Sequence, residues 1–142
     1  MKSALVIAIA ILGAAILVSA FDEKEAMVKF MEFAEACVGE VGAKDSDLQE
    51  IVKKQPASTY EGKCLRACVM KKVGVLGANG KLDVEAGHAK AKQYTGNDPS
   101  KIKIAMEIGE TCAAISVSDD HCEAAETYGH CFKTEAEKHG LM

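Results

Sequence analysis

The segment "KCLRACVMKKVG", Lys63 to Gly74, sets two cysteines four positions apart in a stretch of helical character. Helix neighbours at i and i+4 hold their Cβ atoms roughly 5–6 Å apart. A disulfide needs roughly 3.5–4.5 Å. Cys64 and Cys68 are therefore poor partners for each other. Three readings stay open: each bonds a different distant cysteine, the pair binds a metal, or both stay reduced. The compartment decides among them.

The N-terminus speaks to the compartment. Lys2 is a short positive region, Ala4 to Val18 ("ALVIAIAILGAAILV") is an unbroken run of apolar and small residues, and "VSA" precedes "FDEKE". Val18 and Ala20 satisfy the small-residue rule for a cleavage site. Residues 1–20 thus read as a secretory signal peptide, cut between Ala20 and Phe21, and residues 21–142 as one mature domain. The run is at the short end of the roughly 17–25 residues that a spanning helix needs. Its cleavage-type end also favours a signal over a membrane anchor.

Removing 20 of 142 residues takes away Lys2 and leaves 16 basic against 21 acidic side chains, a balance of −5 with neutral histidines. That sign argues against nucleic acid or an anionic membrane surface as partner. All six cysteines (Cys37, Cys64, Cys68, Cys112, Cys122 and Cys131) lie in the mature part. An even number in a small secreted chain reads as three disulfides. A zinc site at Cys64 and Cys68 would need two further ligands and would leave other thiols free in an oxidising space, so no metal or cofactor is expected.

The periodicity is helical throughout. Met27, Phe30, Met31, Ala34, Cys37, Val38 and Val41 share one stripe, with Phe33 beside it. Ser46 with Gln49 resembles a capping box before a short helix over 47–54, which Pro56 ends. Thr59 is placed to cap a helix running to about Val73. Gly74, Gly77 and "ANG" at 78–80 make a turn. Asp83 is placed to cap a fourth helix through about Gln93. Asp98 before Pro99 opens a fifth to about Ile115, and Ser118 a sixth. In the sixth, Cys122 and Cys131 are nine residues apart, half a turn out of phase. Ala125, Gly129 and Phe132 extend one cysteine's face, Ala124 and Tyr128 the other's. A helix with cysteines on both sides is gripped from both sides. Six cysteines allow many pairings; helix three and helix six must each bond two different elements.

Successive cysteines are separated by 26, 3, 43, 9 and 8 residues. This spacing resembles the insect odorant-binding proteins of the six-cysteine class, the pheromone-binding and general odorant-binding groups. The gaps of three and eight are its most specific elements, and the resemblance covers the whole mature chain. Extra residues within Leu76–Pro99 account for the long third gap. The resemblance implies an all-α fold: a compact six-helix domain stapled by three disulfides around an apolar cavity. It implies the pairs Cys37–Cys68, Cys64–Cys122 and Cys112–Cys131. It implies a secreted, extracellular carrier, in sensillum lymph if olfactory, that brings a small hydrophobic odorant or pheromone-like ligand to chemosensory receptors. The alternative is a non-olfactory carrier of a lipid-like ligand. A monomer or weak homodimer is expected.

Positions matched relative to the cysteines make Phe33, Met70, Val73, Val75, Leu76, Leu82, His88, Ile108, Tyr128 and Phe132 the candidate ligand-binding residues, Phe132 foremost. Leu141 and Met142 end a short tail that could fold back as a lid, so Met142 joins the set. Relatives often release ligand in acid. Of His88, His121, His130 and His139, His88 maps nearest the cavity and is the candidate for such a response. The eleven residues after Cys131 are too few for a long C-terminal helix to enter the cavity. An enzyme is not indicated: no GxSxG, HExxH, GxGxxG or P-loop pattern occurs. Asp119, Asp120 and His121 adjoin Cys122, but a disulfide-bonded cysteine is no nucleophile. A disulfide-rich inhibitor or toxin would work through a rigid exposed loop, and none stands out.

Overall fold

Thr59 shows how local chemistry sets the boundaries. In a computed structural model, which describes residues 23–94 and 97–140, its backbone is extended and its hydroxyl accepts from the Gly62 amide at 2.9 Å. That satisfies one of the amides a helix start leaves without a partner. The helix that follows is the third of six: α1 Glu23–Val41, α2 Asp45–Val52, α3 Tyr60–Val73, α4 Val84–Tyr94, α5 Pro99–Ala113 and α6 His121–Lys138. The expected signal peptide and the Leu141–Met142 lid lie outside the described residues. No helix among the described residues is long and apolar enough to cross a membrane.

Two of the expected starts are displaced. Helix α2 begins at Asp45, ahead of the Ser46 cap expected from the sequence, and it is the Asp47 carboxylate that accepts the Lys44 amide at 2.8 Å. Helix α6 begins at His121, three residues after Ser118, so its cap is Asp120. Asp120 accepts the Cys122 amide at 2.9 Å, while Ser118 accepts from Asp120 itself at 3.0 Å. In both places a carboxylate displaces a hydroxyl, because an ionised acceptor makes the stronger bond. Asp98 caps α5 with Pro99 in its first turn, and that helix stops at Ala113, short of Ile115.

Helix α3 packs on α1, α2 and α6; α4 packs on α5; and α5 packs on α6. Helix α6 therefore joins the α1–α3 group to the α4–α5 pair, in keeping with the apolar residues on both of its faces. Ala124, Ala125, Tyr128, Phe132 and Ala136 are all buried along it. Leu65, Met70, Ile108, Tyr128 and Phe132 are among the largest side chains sealed from solvent. Three disulfides cross these packings: Cys37–Cys68 ties α1 to α3, Cys64–Cys122 ties α3 to α6, and Cys112–Cys131 ties α5 to α6. They are the pairs the resemblance implies. Cys64 and Cys68 let one helix hold two neighbours.

The linker before α3 is pinned by charge. Arg66, with 14% of its side chain exposed, lies 3.5 Å from Glu126 and donates to the Gln55 carbonyl. Glu126 in turn accepts the Ala57 amide at 3.0 Å. Beyond α3, Gly74 takes a left-handed conformation (φ 94°) that closes the helix. A narrow hairpin then turns back on itself, with Leu76 opposite Leu82 and the Asp83 amide bonded to the Val75 carbonyl at 2.9 Å.

Candidate functional site

The hairpin delivers the chain to the start of α4, where Asp83 accepts the Ala86 amide at 2.9 Å as a cap. Capping fixes the rotation of α4, and that rotation places Val84, Gly87 and His88 along one side of a small, partly open pocket. Val75, Leu82 and Asp83 close it from the hairpin, Ala105 and Gly109 from α5, and Phe132 from α6. The space measures about 20 Å³, room for about one water-sized body. Gly87, Ala105 and Gly109 shape it by having little or no side chain. Its polar features are few. Asp83 is exposed and occupied with its cap. His88 Nε2 is sealed from solvent and has no hydrogen-bond partner among the described residues. Among the described residues no lysine or arginine stands on the lining.

Four of the sequence-derived candidates meet here: Val75, Leu82, His88 and Phe132. Met70, Val73, Leu76, Ile108 and Tyr128 are buried in the core without lining this cavity, and Phe33 packs half-buried against that core. Met142 lies outside the described residues. Val84, Gly87, Ala105 and Gly109 were not anticipated. Glycine carries no apolar signature in a sequence and alanine only a weak one, and their contribution is the room they leave.

A second concavity is open and lies on the opposite chemistry. About 480 Å³ in extent, it is lined by Glu40, Val41, Ala67, Lys71, Lys72, His121 and the cysteines 64, 68 and 122. Lys72 pairs with Glu40 at 2.9 Å, and Lys71 Nζ stands 2.7 Å from His121 Nδ1. An apolar molecule there would stay wet and would strip water from charged groups, which is unfavourable. Cys37, Glu40 and Cys68 lie close enough to suggest a metal cluster. Both sulfurs are joined to each other, however, and a disulfide offers no thiolate for a metal.

The acidic group beside Cys122 is likewise structural. Tyr60 donates its hydroxyl to Asp120 at 2.7 Å. That bond holds the Asp120 carboxyl below its usual range and the Tyr60 phenol above its own. Asp120 is thereby committed to a cap and a tether, and Cys122 to a disulfide.

Six helices and three interlocked disulfides make a specific framework, and the comparison with known proteins agrees with it. The PBP/GOBP family profile matches residues 19–135. The chain belongs to that family. It is 74% identical to general odorant-binding protein 28a of Drosophila melanogaster over 138 residues, covering 97% of this chain and 96% of that one. It is 36% identical to general odorant-binding protein 19d of the same fly over 110 residues, 78% of this chain and 73% of the other. Among solved structures, odorant-binding protein dmelOBP28a from Drosophila melanogaster aligns with a TM-score of 0.75 at 76% identity, covering 85% of this chain and all of that one. The fatty acid binding protein OBP56a from the oral disk of the blowfly Phormia regina aligns with a TM-score of 0.64 at 19% identity, over 81% and 95% of the two chains. The latter likeness concerns the fold alone. Family members bind small hydrophobic ligands and are carriers, generally secreted, rather than enzymes. The chain is a small-ligand carrier of this kind.

Proposed function

We propose that the chain is secreted after removal of residues 1–20 and carries an odorant or pheromone-like ligand in the cavity between the hairpin, α4, α5 and α6, delivering it to chemosensory receptors. The observation that supports this reading is that Val75, Leu82 and Phe132 line one small apolar pocket, within a framework cross-linked elsewhere. At about 20 Å³ the space must widen to admit a ligand. The wall best able to move is the hairpin with α4, which no disulfide fastens.

A ligand burying about 300 Å² of apolar surface gains roughly 7–8 kcal/mol at ~25 cal/mol/Å². Micromolar binding needs about 8 kcal/mol, and association costs subtract from the gross figure. Broad affinity near micromolar is expected. Displacement of N-phenyl-1-naphthylamine fluorescence from the refolded protein tests it. Binding of apolar compounds that weakens in Phe132→Ala supports the cavity. No binding at tens of micromolar would overturn the carrier role.

A further inference from the structure

The three disulfides differ in what surrounds them. Cys37–Cys68 and Cys112–Cys131 each hold one fully buried cysteine, Cys37 and Cys112. Both cysteines of Cys64–Cys122 are part-exposed, and both stand on the wall of the open concavity. Cys68 reaches the same concavity, but a Glu40 carboxylate oxygen lies 3.3 Å from its sulfur. An approaching thiolate is repelled there. Lys71, beside Cys122, has a different setting: its Nζ is 2.7 Å from His121 Nδ1, and none of the ion pairs of the described residues includes it. Its charge is free to draw an anion towards the Cys64–Cys122 bond. Disulfides that solvent reaches are the ones that exchange with thiols.

We infer that Cys64–Cys122 is a thiol-exchange site, opened before the other two bonds by small anionic thiols that enter the open concavity. The thiolate attacks the Cys64 sulfur. A new disulfide forms between Cys64 and the thiol as the Cys64–Cys122 bond breaks, and that bond's electron pair leaves on Cys122 as thiolate. The direction follows from the helices. Cys122 is the second residue of α6, where free amides favour an anion, whereas Cys64 is the fifth residue of α3. The Asp120 carboxylate opposes this charge, but it is bonded to Tyr60 and to the Cys122 amide, and Lys71 offsets it. Exchange would untie α3 from α6 next to His121, the residue against which Gly80 of the hairpin rests.

Timed exposure of the oxidised wild-type protein to reduced glutathione at neutral pH tests it. Samples are stopped with acid, blocked with N-ethylmaleimide and mapped by mass spectrometry. Cys64 and Cys122 are expected to open at least about tenfold faster than the other cysteines, with glutathione on Cys64 and the maleimide on Cys122. Lys71→Gln is expected to slow glutathione about threefold, the range of one exposed charge pair. The same variant should leave the rate with cysteamine nearly unchanged, because that thiol's own ammonium offsets its thiolate. Another bond opening first, all three opening together, or glutathione found on Cys122 would overturn the inference. Equal slowing of both thiols by Lys71→Gln, the mark of a structural effect, would overturn the part given to its charge.

Discussion

The imidazole of His121 lies against Gly80 so closely that a methyl group on Gly80 would stand 2.3 Å from its Cδ2. Gly80 also holds φ at +77°, which side chains seldom adopt. The hairpin tip is thus seated on the first residue of α6 at a point where only glycine fits. Gly80→Ala is expected to destabilise the protein by about 1–3 kcal/mol, from backbone strain and the collision together. In a double-mutant cycle His121→Ala should recover the steric part and leave the backbone part. Urea denaturation of the four proteins measures it, and strict additivity would show that the contact carries no energy.

Asp47 is 3% exposed, accepts from the Thr59 hydroxyl at 2.5 Å and from the Lys44 amide at 2.8 Å. The Thr59 bond first, and the Lys44 bond second, hold its carboxyl below its usual value of 3.8. A depressed carboxylate stabilises the fold above its unfolded-state value and loses that contribution as pH falls through the folded value. Asp47→Ala, by removing a doubly bonded acceptor, is expected to cost about 1–3 kcal/mol at pH 7. The gap between wild type and variant should stay constant from pH 7 to about pH 5 and close at lower pH. Urea midpoints across that range check it; a gap unchanged at pH 2 would contradict it.

The Arg66–Glu126 pair should matter more than the Lys63–Glu123 pair. The first shows 14% and 21% of its side chains to solvent, the second 28% and 41%. Burial holds the Arg66 guanidinium below its usual range, while the nearby carboxylate and the Gln55 carbonyl keep it charged and bonded. Removing it strands Glu126 in a half-buried setting. Arg66→Ala is expected to cost about 2 kcal/mol and Lys63→Ala less than about 1 kcal/mol. Thermal unfolding of both variants compares them, and equal losses would mean that burial does not distinguish the pairs.

The disulfides span sequence separations of 31, 58 and 19 residues. By the chain-entropy argument, each contributes roughly 3–4 kcal/mol. The longest should contribute about 1 kcal/mol more than the shortest. Replacing Cys64 and Cys122 by serine should therefore lower stability further than replacing Cys112 and Cys131. Denaturation of the two double variants, with peptide mapping under non-reducing conditions to verify the remaining bonds, checks the order. The reverse order would point to enthalpic terms.

Much of this fold was legible from capping chemistry. Thr59 and Asp98 announce their helices because each is a good acceptor at the position that needs one. Ser46 and Ser118 mislead for the same reason: each is a reasonable cap, but an aspartate nearby binds more strongly. Lys44 precedes α2 with no capping side chain at all, so nothing in the residue marks it. The cavity is harder to read. Phe132 and Tyr128 are both aromatic and equally buried, yet of the two only Phe132 lines this space. A difference of rotation about one helix axis separates them, and single-sequence periodicity does not resolve it. Gly87 and Gly109 mark the cavity by an absence that hydropathy does not register.

The cross-links also fix a mechanical path. Tension applied to the ends of the oxidised chain would pass from Cys37 to Cys68, back along one turn of α3 to Cys64, and across to Cys122. Residues 38–63 and 69–111 lie outside that path as slack loops. The hairpin, α4 and most of α5 would bear no strain while the sulfur bonds hold. Stretching would lengthen the terminal arms and spare the backbone that surrounds Val75, Leu82 and His88.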